Sequence, residues 1–185
     1  MMFLPALRRW LPGVFAFAGL LAEPTSAPAP APAADRVGFP RTYLTEFVVL
    51  RTTTDAKEAK RVTVYGNRLA ASVTNLAALP YPYGSILVME TAALEKDAAG
   101  AVVRDAQGGY RKGEVKGLHV MRRERGFGEG YATNRTGEWE YVEYRADGAQ
   151  LTPPEKSAAC AECHVKAGPA KDFVFKARFA SEGGK

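Results

Sequence analysis

The chain has 185 residues, of which 46% are hydrophobic, 10% aromatic and 24% charged, with a formal net charge of +5 and two cysteines. That mix excludes a wholly disordered chain and a collagen-like one, and two cysteines are too few for a disulfide-dense scaffold. The positive excess forms no run of five basic residues, so nucleic acid is not the indicated partner and the charge suits an acidic small molecule or protein.

The first elements are targeting segments. Arg8 and Arg9 precede an apolar stretch from Trp10 to Ala22, then small residues up to Ala27. A stretch of about a dozen apolar residues is short for a membrane span and matches a secretory leader over residues 1–27, which places the mature protein in a periplasm. An uncleaved anchor is the alternative, and Pro12 and Gly13 inside the stretch count against it. Residues 28–37 begin as alternating Pro and Ala and read as an extended linker. Residues 38–185 are then the folded domain, about 150 residues and large enough for one core.

Within the domain, Leu44 to Arg51 reads as a strand, Thr52 to Lys60 as a loop, and Arg61 to Tyr65 as a second strand ended by Gly66-Asn67. Arg68 to Leu79, rich in Ala and Leu, reads as a short helix. The turn Pro80-Tyr81-Pro82-Tyr83-Gly84 precedes the most apolar strand, Ser85 to Thr91. Val102 to Lys112 reads as a hairpin, and Val115 to Arg123 and Trp139 to Arg145 as further strands. Thr152 is placed as the N-cap of a final helix from Pro153 to Val165, with Pro at the first position and Glu155 three residues after the cap. The fold class is therefore α+β, predominantly β: an antiparallel sheet of five to six strands with short flanking helices and a C-terminal helix that bears the motif described next.

That motif is Cys160-Ala161-Glu162-Cys163-His164, the pattern of c-type haem attachment. Two thiols three positions apart share a helical face and can each form a thioether with a haem vinyl group. The following His164 then supplies the proximal ligand to the iron. In a chain with so few Cys and His, the chance occurrence of this arrangement is on the order of one in ten thousand. A redox dithiol is the alternative, but it belongs early in a βαβ unit, which this chain lacks.

The other axial side decides the function. A sixth protein ligand makes an electron carrier, and an open side makes an enzyme, a sensor or a gas binder. The candidates are His119, Met89 and Met121, each of which can equally serve in core packing. Tyr81, Tyr83, Trp139, Tyr141 and Tyr144 read as packing residues before radical carriers. Glu138, Glu140 and Glu143 read as a solvated face.

Several blocks stand in this order along the chain: Phe39-Pro40-Arg41-Thr42-Tyr43; Val64-Tyr65-Gly66-Asn67; Tyr81 through Val88; His119-Val120-Met121-Arg122-Arg123-Glu124; Thr136 through Tyr141; the haem motif; and Lys171-Asp172-Phe173-Val174-Phe175. In this order, with one haem motif near the carboxyl end, the chain resembles the cytochrome P-460 family, which includes the cytochromes c-prime-beta.

The resemblance implies an antiparallel sheet, a homodimer, and one five-coordinate haem c with an enclosed distal pocket. It also implies a redox partner protein and a small-molecule ligand such as peroxide, nitric oxide or hydroxylamine. In the family a lysine on the strand after the Pro-x-Gly turn is linked to the haem edge. Met89 stands in that place here as a haem-contacting residue, and a thioether has no amine with which to form the link. A distal carboxylate relay of the family falls near His119. These departures point away from hydroxylamine oxidation and toward peroxidase-like chemistry. His119 would then move protons, and Arg123, of the same strand parity, would steady charge on a distal oxygen. A non-catalytic nitric oxide binder and an electron-transfer cytochrome with a Met or His sixth ligand are the alternatives.

Overall fold

The computed structural model describes residues 34–131 and 133–175, together with Met1 and Pro32. Residues 2–27 of the expected leader, half of the expected linker, and the chain beyond residue 175 lie outside the described residues. Among the described residues, no helix is long and apolar enough to cross a membrane.

Six strands of the described residues form one antiparallel sheet in simple sequence order. They are β1 (Val48–Asp55), β2 (Lys60–Gly66), β3 (Ile86–Leu94), β4 (Lys112–Arg123), β5 (Trp139–Tyr144) and β6 (Gln150–Thr152). Among the described residues, three short α-helices flank the sheet: α1 (Tyr43–Glu46), α2 (Arg68–Ala71) and α3 (Ala158–Val165). The α+β, mostly β architecture expected from the sequence is the one observed.

Local departures have local causes. The residues read as a strand from Leu44 divide into α1 and β1. Phe39 and Pro40 carbonyls accept from Arg41 and Tyr43 amides and turn the chain, and Tyr43 is buried by the turn. β1 then continues through the residues read as a loop, because Thr52, Thr53 and Thr54 are β-branched and pair with β2. Asp55 ends it by accepting the amides of Lys57 and Glu58.

The helix expected from Arg68 stops at Ala71, where the Ser72 hydroxyl donates to the Leu69 carbonyl. A separate turn follows over Leu76–Ala78, capped by Asn75. The hairpin over Val102–Lys112 is reduced to isolated bridges, Lys96 with Val102 and Arg104 with Tyr110. The final helix is also divided. A 3-10 turn (Pro154–Lys156) precedes α3, and the Ser157 hydroxyl donates to the Pro154 carbonyl at the break. Thr152 is not a cap; it ends β6, and its hydroxyl donates to Glu143.

Alternation divides the sheet into two packed faces. The back face gathers Tyr43, Tyr65, Val88, Leu118, Val120, Val142 and Tyr144. Residues assigned to the linker by sequence close this face: Val37 is buried, Asp35 accepts from the Tyr144 hydroxyl, and Arg36 pairs with Glu140. The front face gathers Leu87, Met121, Trp139 and Tyr141 beneath Ala161 of α3 and Val174 of the segment after it. The front face carries the site.

Candidate functional site

A single row of paired residues crosses the whole sheet: Arg51, Val64, Met89, His119, Glu143 and Thr152. Because the side-chain period of a strand is two, a row of directly paired residues projects to one face. That face opens on a cavity of about 420 Å³, within the range of cofactor sites. Arg51, Val64, Met89, His119 and Thr152 from the row line it, and the helix side contributes Cys160, Cys163 and His164. The sheet and helix candidates therefore meet in one hollow, although about 40 residues separate His119 from Cys160 in the chain.

On the helix side, Cys160 and Cys163 are free thiols, the first half-buried and the second exposed. Burial pushes the Cys160 thiol up to about 11, because a low-dielectric setting disfavours the thiolate. The His164 ring is fixed from two sides. Its Nδ1 lies 2.7 Å from the Phe173 carbonyl, and the Tyr141 ring packs against it with centroids 4.6 Å apart and planes 32° apart. A backbone carbonyl is only an acceptor, so Nδ1 carries the proton and the Nε2 lone pair is left free for a metal. Burial lowers the His164 pKa, and the nearby His119 acts in the same direction; the imidazole is kept neutral, as ligation requires.

On the sheet side, His119 Nε2 lies 3.3 Å from Glu143 Oε1, with the His119 side chain 45% exposed. Glu143 is itself held through its other oxygen by the Thr152 hydroxyl at 2.8 Å. Met89 sits between Val64 and His119 on neighbouring strands. Met121 also lines the cavity, but it is buried against Leu87 and Tyr141 and works as packing. Arg51 lines the hollow too, and its buried Nε–H has no acceptor among the described residues.

Arg123 is elsewhere. Its parity with His119 holds, but four residues along a strand carry it about 13 Å away. There it donates to the Tyr81 carbonyl, with Glu138 and Asp172 carboxylates 3.8 and 3.7 Å away. The three glutamates read as a solvated face are also separated. Glu140 is 1% exposed on the back face, paired with Arg36. Glu138 accepts from Tyr83, and Glu143 turns to the cavity side.

Sequence reasoning passed over Glu143, Arg51 and Tyr141 as site residues. Only strand register brings them to the motif, and alternation along one strand carries no register. Among the described residues, no group of three or more His, Cys, Asp or Glu is placed to hold a bare metal ion.

The donor set fits a haem c. Two thiols and one oriented imidazole open on a hollow with mainly apolar walls, and an unpaired arginine N–H stands at its edge for an anionic group. Comparison agrees with the geometry: a family model described as cytochrome P460 matches residues 40–176. No curated protein matches the chain.

Proposed function

The chain belongs to the cytochrome P460 family and is by that membership a haem cytochrome; on that premise we propose that it carries one haem c, open on its distal side to peroxide or nitric oxide, with peroxidase-like chemistry. Cys160 and Cys163 provide the thioethers, His164 the proximal nitrogen through Nε2, and Arg51 a permanent positive charge for a carboxylate of the cofactor. When bound, the haem supplies a redox-active iron with an exchangeable coordination position.

The observation that carries the reading is the convergence of His119, with Glu143 beside it, on the same cavity as the motif. With the cofactor in place, His119 would be the group to accept a proton from hydrogen peroxide in the cavity and to give it back to the oxygen that leaves as water. Glu143 holds the imidazole and stabilises it while it is charged, and Thr152 holds Glu143. Met89 and Val64 keep the adjoining wall apolar, which limits water near the reacting atoms. Met89 has no amine and leaves the cofactor edge without a third covalent link. Export to the periplasm belongs to this reading through the leader pattern. A homodimer and a redox partner protein belong to it through the resemblance.

The test is spectroscopic and kinetic. A high-spin ferric spectrum at neutral pH is expected, and His119→Ala should slow the stopped-flow reaction with peroxide by about 10²- to 10⁴-fold. A low-spin, six-coordinate ferric spectrum would instead make the protein an electron carrier with Met89, Met121 or His119 as sixth ligand. An unchanged peroxide rate in the variant would remove His119 from the mechanism, and a wild-type protein that does not react with peroxide would leave a gas binder.

A further inference from the structure

We propose that Arg123 and Asp172 are positioning residues for the proximal ligand: they lock the turn whose carbonyl holds His164, and so set how strongly that imidazole donates to the iron. The inference rests on the haem reading above and deepens it.

The acceptor for His164 Nδ1–H is the carbonyl of Phe173, nine residues further along the chain. Phe173 has φ 60° and follows Asp172 at φ 47°. Two successive side-chain-bearing residues in the left-handed region are uncommon, since Cβ crowds the backbone there. Such a turn persists where its surroundings over-determine it, and positions of this kind gather at functional sites.

The constraints come from three places in the fold. Within the segment, Asp172 and Phe173 amides donate to the Pro169 and Gly168 carbonyls at 2.9 and 3.0 Å. From the turn before β3, the Tyr81 amide donates to Asp172 Oδ2 at 2.9 Å. From the end of β4, Arg123 donates to the Tyr81 carbonyl, and its Nε lies 3.7 Å from the same Asp172 oxygen. Arg123 and Asp172 thus close a ring around the backbone of one residue, Tyr81, through its carbonyl and its amide. All three are buried, at 9%, 7% and 1% exposure. The Phe173 ring also packs over Gly137, where an added Cβ would meet it at 3.6 Å.

Burying a carboxylate and a guanidinium is costly, and an apolar contact would join the segment to the sheet as well. What the charged ring adds is orientation: it fixes the direction of the peptide units at residues 172 and 173. A carbonyl aimed at Nδ1–H gives the imidazole more anionic character and makes it a stronger donor. That favours ferric over ferrous iron and lowers the reduction potential.

The test uses the full-length holoprotein and its Asp172→Ala, Arg123→Gln and Arg123→Lys forms. The readouts are the reduction potential, the iron–histidine stretch of the ferrous protein by resonance Raman, and the melting temperature. Asp172→Ala should raise the potential and lower the stretching frequency. Arg123→Gln should move both in the same direction by less, and Arg123→Lys should return them toward wild type. Should Asp172→Ala fail to fold, the two Arg123 forms carry the test. Wild-type potential and frequency in folded variants that merely melt lower would overturn the proposal and leave the ring a structural contact. A wild-type protein without haem c in a pyridine haemochrome assay would overturn the haem reading itself, and the proposal with it.

Discussion

On β4, Leu118 and Val120 are buried in one face of the sheet at 0% and 2% exposure, while His119 between them is turned to the other. On β3 the same division separates Val88 and Glu90 from Leu87 and Met89. The back face carries a buried carboxylate that is fully partnered. Glu90 is 0% exposed, and it accepts from the Tyr43 hydroxyl at 2.6 Å and from Lys112 at 3.1 Å. The front face keeps a hollow, a half-exposed histidine and an arginine N–H without an acceptor. A buried, satisfied carboxylate is part of what holds the fold, whereas under-satisfied groups around a cavity are groups kept for a ligand. One set of strands can do both because successive residues face opposite ways.

The comparison breaks first where the back face is truncated. Leu118→Ala should cost about 2–5 kcal/mol in chemical denaturation, with the haem spectrum unchanged. A variant of wild-type stability would show that the back face does not bear the fold. Next, Tyr43→Phe leaves Glu90 one donor short and should cost about 1–3 kcal/mol. Its reduction potential should stay at the wild-type value, and a shifted potential would mean that the two faces are coupled through β3. Met89→Ala, on the rim of a cavity, should cost about 1 kcal/mol or less while speeding entry of nitric oxide in stopped-flow mixing. A large loss of stability there would make the front face a second core. The smallest effect is chemical: in haem-free protein at pH 8, iodoacetamide should label exposed Cys163 before Cys160, whose thiol is held up near 11 by burial. Equal rates in peptide mapping would contradict the half-buried position of Cys160.

The strands were legible where alternation was strong. Arg61 to Tyr65, Ser85 to Thr91, Val115 to Arg123 and Trp139 to Arg145 all lie largely within observed strands. β6 was not legible, because three residues carry no period and Gln150–Thr152 is a strand only through its pairing with β5. The helices came out shorter than their composition suggested. Ser72 and Ser157 turn their hydroxyls onto nearby carbonyls, and this competition shows only once the backbone is placed. Arg123 illustrates the other limit. Parity chose its face correctly, but distance along the strand removed it from the cavity.

The haem motif needs no tertiary structure to be recognised, since its chemistry lies within five consecutive residues and one helical turn. The alternation of β3, β4 and β5 likewise determines that each strand has two unlike faces. Register is a different matter. It aligns Arg51, Met89, His119 and Glu143 in one row, and it is set by pairing between strands far apart in sequence. The orientation of His164 also waits on the fold, because the carbonyl that holds it is aimed by an arginine and an aspartate 49 residues apart, on two separate elements. Covalent spacing is a local property of the chain, whereas the direction in which an imidazole presents its lone pair depends on every element packed around it.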